Sequence, residues 1–139
     1  MPNTSSVAGY SGTPLHRKLG LKAGMRYLLI GAPAGYRDVL GPVDDVTFLQ
    51  RAKQADVVHL FCKRHSELTR RIDTALERVN PGGMCWVSWP KKSSPLYVDL
   101  TEDDLRRVVL PKKQWVDVKV CAVDMDWSAL KFVRRRSGK

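Results

Sequence analysis

The chain has 139 residues, 43% of them hydrophobic, and carries 24 Lys and Arg against 14 Asp and Glu for a formal charge of +10. This length fits one ordinary domain, and the apolar share excludes wholesale disorder. No apolar run approaches the ~18 residues of a membrane span and Met1–Thr13 lacks the apolar core of a signal peptide, so a cytoplasmic protein with no membrane partner is expected.

Residues 1–12 read as a flexible segment, 13–135 as a single α/β domain and 136–139 as a basic tail. Thr13-Pro14 can cap and start a short helix that buries Leu15 and Leu19 and stops at Gly20. The apolar run of residues 25–30 ends at Gly31 and predicts a buried strand. Gly31-Ala32-Pro33-Ala34-Gly35 is then a turn, and Tyr36–Leu40 forms about one helical turn. Residues 46–49 and 57–62 predict the next two strands, and their near-continuous apolar character belongs to a sheet covered on both faces.

Ser66 can cap the clearest helix, whose apolar stripe is Leu68, Ile72, Ala75, Leu76 and Val79. Asn80-Pro81-Gly82-Gly83 should stop it, and residues 84–89 predict a fourth strand closed by Pro90. Thr101-Glu102-Asp103-Asp104 has the form of a capping box for a helix burying Leu105, Val108 and Val109. From Val116 an alternating pattern, a turn near Asp124-Met125-Asp126 and a return through Val133 predict a terminal antiparallel hairpin. Strand, helix and strand in this order imply right-handed crossovers and a mainly parallel sheet. Cys62, Cys85 and Cys121 are odd in number, widely spaced and set in apolar runs, which predicts small buried hydrophobes and neither a disulfide framework nor a zinc site.

Five features invite a functional reading. Gly31 and Gly35 could hold an anion on backbone donors, although Pro33 interrupts the loop, and a plain tight turn explains them as well. Trp89, Lys91, Lys92 and Ser93 follow the end of a parallel strand, the edge where open α/β sheets bind ligands. If the two loops share a rim, a small anion fits between them; the alternative is a solvated loop over a core tryptophan. His59, inside an apolar strand, reads as a hydrogen-bonded core residue and not as a catalytic one, and Asp124 and Asp126 read as turn chemistry. Arg134, Arg135, Arg136 and Lys139 could grip phosphates, giving weak, salt-sensitive nucleic-acid binding without sequence preference, or simply solvate the chain end.

The order of elements resembles the class I methyltransferase variant of the Rossmann fold. The likeness rests on the strand ending at Gly31, on Ala55-Asp56-Val57-Val58-His59-Leu60-Phe61, on Val79-Asn80-Pro81-Gly82-Gly83 leading into Met84-Cys85-Trp86-Val87, and on the terminal hairpin. It spans about residues 22–135. It implies a Rossmann-like sheet truncated between Gly31 and Asp56, where the chain is too short for the usual helices and third strand. It also implies a damaged cofactor loop, with Pro33 in its middle and Leu49-Gln50-Arg51 where a ribose-binding acid should stand. Tyr10–Leu15, Ile30–Pro33 and Val87–Lys92 further resemble a family of small bacterial proteins built on a domain of unknown function, which implies the fold and no activity. The expectation is an accessory binding module for a small anionic ligand, without cofactor or catalytic residues. A S-adenosylmethionine-dependent methyltransferase and a nucleic-acid-binding accessory protein are the alternatives.

Overall fold

A computed structural model describes residues 12–135 of the chain. Arg136 and Lys139, and nearly all of the segment expected to be flexible, lie outside the described residues. The elements in chain order are α1 (Leu15–Lys18), β1 (Arg26–Ile30), α2 (Tyr36–Leu40), β2 (Thr47–Leu49), β3 (Ala55–Phe61), α3 (His65–Glu77), β4 (Val79–Pro90), α4 (Glu102–Val109), β5 (Trp115–Ala122) and β6 (Trp127–Arg134). They build one six-stranded sheet in the order β2-β1-β3-β4-β6-β5. β2, β1, β3 and β4 run parallel, and β6 enters antiparallel beside β4 with β5 outside it. The expected α/β class, mainly parallel sheet and C-terminal hairpin are therefore observed. Only three residues of strand lie beyond β1, because the span from Gly31 to Asp56 has no room for more.

Alternate strand residues face opposite sides. On one side Val58 and Leu60 of β3 and Cys62 just after it join Leu68, Ile72, Ala75 and Leu76 of α3 and Leu105 and Val109 of α4. On the other side Val57 and Phe61 join Leu15, Leu19, Tyr27, Tyr36, Trp86 and Trp127 under α1 and α2. Cys62 and Cys85 are buried and all three cysteines are free thiols.

Three local expectations change. Thr13 does not cap α1, which begins after Pro14 without a side-chain bond. Ser66 lies inside α3 and not before it; the start is held by Glu67, whose carboxylate accepts the N–H groups of Lys63 and Arg64 at 2.7 and 3.1 Å. Asn80–Gly83 is part of a long β4, because Val79 already pairs with Ala55 and the register shifts before Val57 meets Met84. A Cβ at Gly83 would stand 2.4 Å from the Asp56 carbonyl oxygen, so this irregularity needs glycine. The capping box of α4 forms as expected: Thr101 N–H donates to Asp104 at 2.9 Å, and Asp104 N–H donates to the Thr101 hydroxyl at 3.3 Å.

Candidate functional site

The parallel strands end where Gly31, Cys62 and Lys91 begin their loops. Over β1 and β2 this edge opens into a cleft of about 610 Å³, walled by residues 29–38 and Gln50. Gly31 and Gly35 both lie in it. Gly31 has φ +74°, and a Cβ there would meet the Phe61 carbonyl oxygen at 3.0 Å and Arg71 Nη1 at 3.2 Å. This glycine is thus bare for the sake of packing against β3 and α3. A Cβ at Gly35 would meet nothing within 4 Å, so the space in front of it is open. Among the described residues, the N–H groups of Ala32, Ala34 and Gly35 have no backbone acceptor, whereas Tyr36 N–H is spent on the Pro33 carbonyl. Pro33 itself offers no donor.

The charges around this loop are mostly positive. Arg37 lines the cleft with its guanidinium 3.5 Å over the Phe48 ring. Arg71 reaches across from α3 to Gly31, and neither it nor Arg51 enters an ion pair among the described residues. Asp38, in the first turn of α2, is the carboxylate of the wall. At the end of β2, Gln50 and Arg51 are exposed and no acid is present, as the sequence indicates.

The second candidate group lies elsewhere. Trp89 is buried in the core beneath α3 and α4. Lys91 is drawn toward the β5–β6 turn: its N–H donates to the Asp126 carbonyl and its ammonium to the Asp124 carbonyl, each at 2.8 Å. Trp89, Lys91 and Lys92 border a separate cleft of about 440 Å³ with Thr101, Glu102 and Asp103. Ser93 is exposed, and its neighbour Ser94 is buried, donating to Asp126 at 2.8 Å. The shared rim between this loop and Gly31–Gly35 does not form; the turn carbonyls hold Lys91, and Lys92 lies on the separate cleft with Glu102 and Asp103. Asp124 accepts the N–H groups of Asp126 and Trp127 at 2.8 Å, so the turn reading of these aspartates holds.

Arg134 and Arg135 are bonded to backbone carbonyls of the fold. Arg134 donates to the Asn80 and Leu76 carbonyls at 3.2 and 3.4 Å and lies 4.8 Å over the Trp115 ring. Arg135 donates to the Lys113 carbonyl at 2.9 Å. Capping carbonyls in this way leaves both less of their guanidinium for phosphates.

A buried polar chain completes the inventory. His59 is fully buried; its Nδ1 lies 2.6 Å from the Tyr27 hydroxyl and its Nε2 2.6 Å from Ser88 Oγ. Tyr27 is 2.6 Å from the Tyr36 hydroxyl, and the His59 ring stacks on Phe61 at 4.1 Å. Burial pushes the imidazole down to about 3, which keeps it neutral with one donor and one acceptor nitrogen. Burial likewise pushes both tyrosines up, so they remain phenols. His59 as a hydrogen-bonded core residue was legible. Its partners were not, because Tyr27, Tyr36 and Ser88 sit in three other segments and only the sheet brings them together. Tyr36 also borders the cleft, so the chain of hydroxyls runs from the cleft wall to the middle of the sheet.

No protein-family model matches the sequence, and no curated protein does. The fold is nonetheless shared with solved methyltransferases. The N-methyltransferase NodS from Bradyrhizobium japonicum WM9, in complex with S-adenosyl-l-homocysteine, is 13% identical; the match covers 90% of each chain with a TM-score of 0.55. Magnesium protoporphyrin IX methyltransferase (ChlM) from Synechocystis PCC 6803, with bound SAH, is 12% identical over 86% of this chain and 78% of its own, with a TM-score of 0.58. Ribosomal protein L11 methylase from Lactobacillus delbrueckii subsp. bulgaricus is 11% identical over 88% and 75%, with a TM-score of 0.57. At such identity the likeness establishes the class I methyltransferase-like fold. Among the described residues no helix is long and apolar enough to cross a membrane.

Proposed function

We propose that the chain is a binding module on a shortened methyltransferase-like fold, and that its cleft over β1 and β2 takes a small anion, a nucleoside phosphate being the best match. The observation that supports this is the charge of the cleft: Arg37 in its wall and Arg71 beside Gly31 flank a loop with exposed backbone donors, against the wall carboxylate of Asp38, and Arg51 lines the adjoining cleft beyond Gln50. Open α/β sheets bind ligands at this edge, where the strand order reverses between β1 and β3. An arginine at the end of β2 is the group that accommodates a phosphate on a ribose, where an acid would hold its hydroxyls. α2 is only five residues long and contributes little dipole, so guanidinium groups and loop N–H groups carry the affinity.

S-adenosylmethionine fits this donor set poorly. The loop loses a donor at Pro33, and Gln50-Arg51 stands where an acid would hold the ribose hydroxyls. The transferase reading still has one feature in its favour: the cleft lies at the end of β1 in a fold whose solved relatives hold S-adenosylhomocysteine.

A thermal-shift and calorimetry panel of inorganic phosphate, AMP, ATP, S-adenosylmethionine and S-adenosylhomocysteine tests the reading. A nucleotide at 100 times its dissociation constant stabilises by about 2.7 kcal/mol, a shift of several degrees for a chain this size. AMP or ATP should shift the melting point and S-adenosylmethionine should not. Arg71→Gln should abolish the nucleotide shift. A shift with S-adenosylmethionine that Asp38→Asn removes would replace the proposed reading with the transferase one.

A further inference from the structure

The sheet's outer half carries a positive surface that the cleft does not use. Lys119 of β5 stands directly opposite Lys131 of β6 in the antiparallel register. Like charges in facing positions destabilise a sheet. Lys22, in the segment leading into β1, adds a third charge close enough that, after burial, Lys119 and Lys22 together lower the Lys131 pKa. Lys18 of α1 reaches the same area, donating to the Ala122 carbonyl at 3.2 Å. Among the described residues none of these four lysines pairs with a carboxylate. The acids of the hairpin are engaged elsewhere: Asp117 holds Arg106 at 2.7 Å, Asp124 caps its own turn, and Asp126 accepts from Ser94.

We propose that this face, built from Lys18, Lys22, Lys119 and Lys131, binds the phosphate backbone of a nucleic acid without reading its sequence. The cross-strand pair is the key observation, since a sheet gains nothing from facing lysines unless an anion lies over them. Four charges spread over a helix, a loop and two strands exceed what one small phosphate can neutralise. A repeating backbone of monoanions can meet all of them, because each lysine is a flexible point charge that needs no fixed fork geometry. Of the apolar residues exposed on β5, Val120 stands opposite Leu130 on the other side of the sheet and Val118 is the bulge residue between Asp117 and Lys119, so the lysines have no continuous apolar rim with which to enter a lipid surface. This site is separate from the β1–β2 cleft, and the failure of either proposal leaves the other standing.

Fluorescence anisotropy of the full chain with a labelled single-stranded oligonucleotide, titrated across salt, tests the assignment. Contact with four phosphates gives a slope of log Kobs against log salt near −3 (about −0.7 per phosphate). Lys119→Gln/Lys131→Gln should weaken binding about tenfold at low salt and reduce the slope by about 1.4. A charge-matched control, Lys53→Gln/Lys63→Gln, should leave both unchanged. Circular dichroism should show the Lys119→Gln/Lys131→Gln chain folded and no less stable, since a repulsion has been removed. Equal losses in both variants would mean bulk charge alone, and no loss in either would remove the site; each overturns the proposal. Binding to phosphatidylserine vesicles with none to the oligonucleotide would overturn it as well.

Discussion

The two faces of the sheet are built on different principles. The face under α3 and α4 is a plain apolar core, in which Leu68, Ile72, Leu76, Leu105 and Val109 pack on Val58, Leu60 and Val87. Several of the charges outside it are paired: Glu102 and Asp117 with Arg106, Asp104 with Arg107 and His65, Asp73 with Lys112. The face under α1 and α2 buries four hydrogen-bonding side chains in a row, Tyr36, Tyr27, His59 and Ser88, and among the described residues its nearby lysines have no carboxylate partners. Both faces are satisfied, since among the described residues no buried side-chain polar atom lacks a partner. The first face would tolerate volume-conserving apolar exchange, whereas the second depends on every member of its chain.

The largest expected effect comes from breaking the polar face at its centre. His59→Ala leaves the Tyr27 and Ser88 hydroxyls without their ring partner, about 1–3 kcal/mol for each, and opens a cavity besides. Urea unfolding should show a loss of roughly 3–6 kcal/mol. A loss below 1 kcal/mol would mean that water or a neighbour replaces the ring. On the apolar face the matched probe is Ile72→Ala, with an expected loss of about 2–5 kcal/mol from burial and cavity alone.

The two faces should also part company in acid. The folded imidazole of His59 resists a proton down to about pH 3 because it is desolvated, while the unfolded one takes a proton below about 6.5. Between those values the unfolded state binds more protons, so stability is full above about pH 6.5 and declines as the pH falls toward 3. At about 1.4 kcal/mol per pH unit, roughly 3 kcal/mol should be lost between pH 6.5 and 4. Ile72→Ala should keep this slope, and His59→Phe, which has nothing to protonate, should flatten it. Asp104 acts lower: burial alone would raise it, but hydrogen bonds from His65 and Thr101 outweigh that and hold it at about 2, so its contribution fades only below about pH 4.

Two smaller substitutions sharpen the comparison. Thr101→Ala removes the cap of α4 and should cost about 1 kcal/mol, measured by thermal unfolding. Tyr36→Phe removes the terminal hydroxyl of the polar chain and should cost a similar ~1 kcal/mol. It also reports direction: if Tyr36 is the end donor its loss leaves Tyr27 free to donate to His59, and the acid slope should persist.

Much of this protein follows from its sequence because the signals are local. A continuous apolar run makes β1, flanked by glycine, and β3; the spacing of Leu68, Ile72 and Leu76 makes α3, and Thr101 with Asp104 starts α4. The shortness of the stretch from Gly31 to Asp56 alone decides that the sheet is truncated there. Tertiary structure decided the rest. Whether Lys91 faces Gly31 depends on the β5–β6 turn, whose carbonyls come from more than 30 residues away and take its ammonium. Arg134 looks like the start of a free basic tail until β6 lays it over Trp115 and against the end of α3. Lys119 and Lys131 become a pair only through a register that contains a bulge, and four hydroxyl and imidazole groups become one chain only when three strands and α2 align. Side-chain period and caps act over one or two turns of chain, so a sequence displays them. Hydrogen-bond partners and charge neighbours are set by which strands lie side by side, and that is a property of the folded sheet.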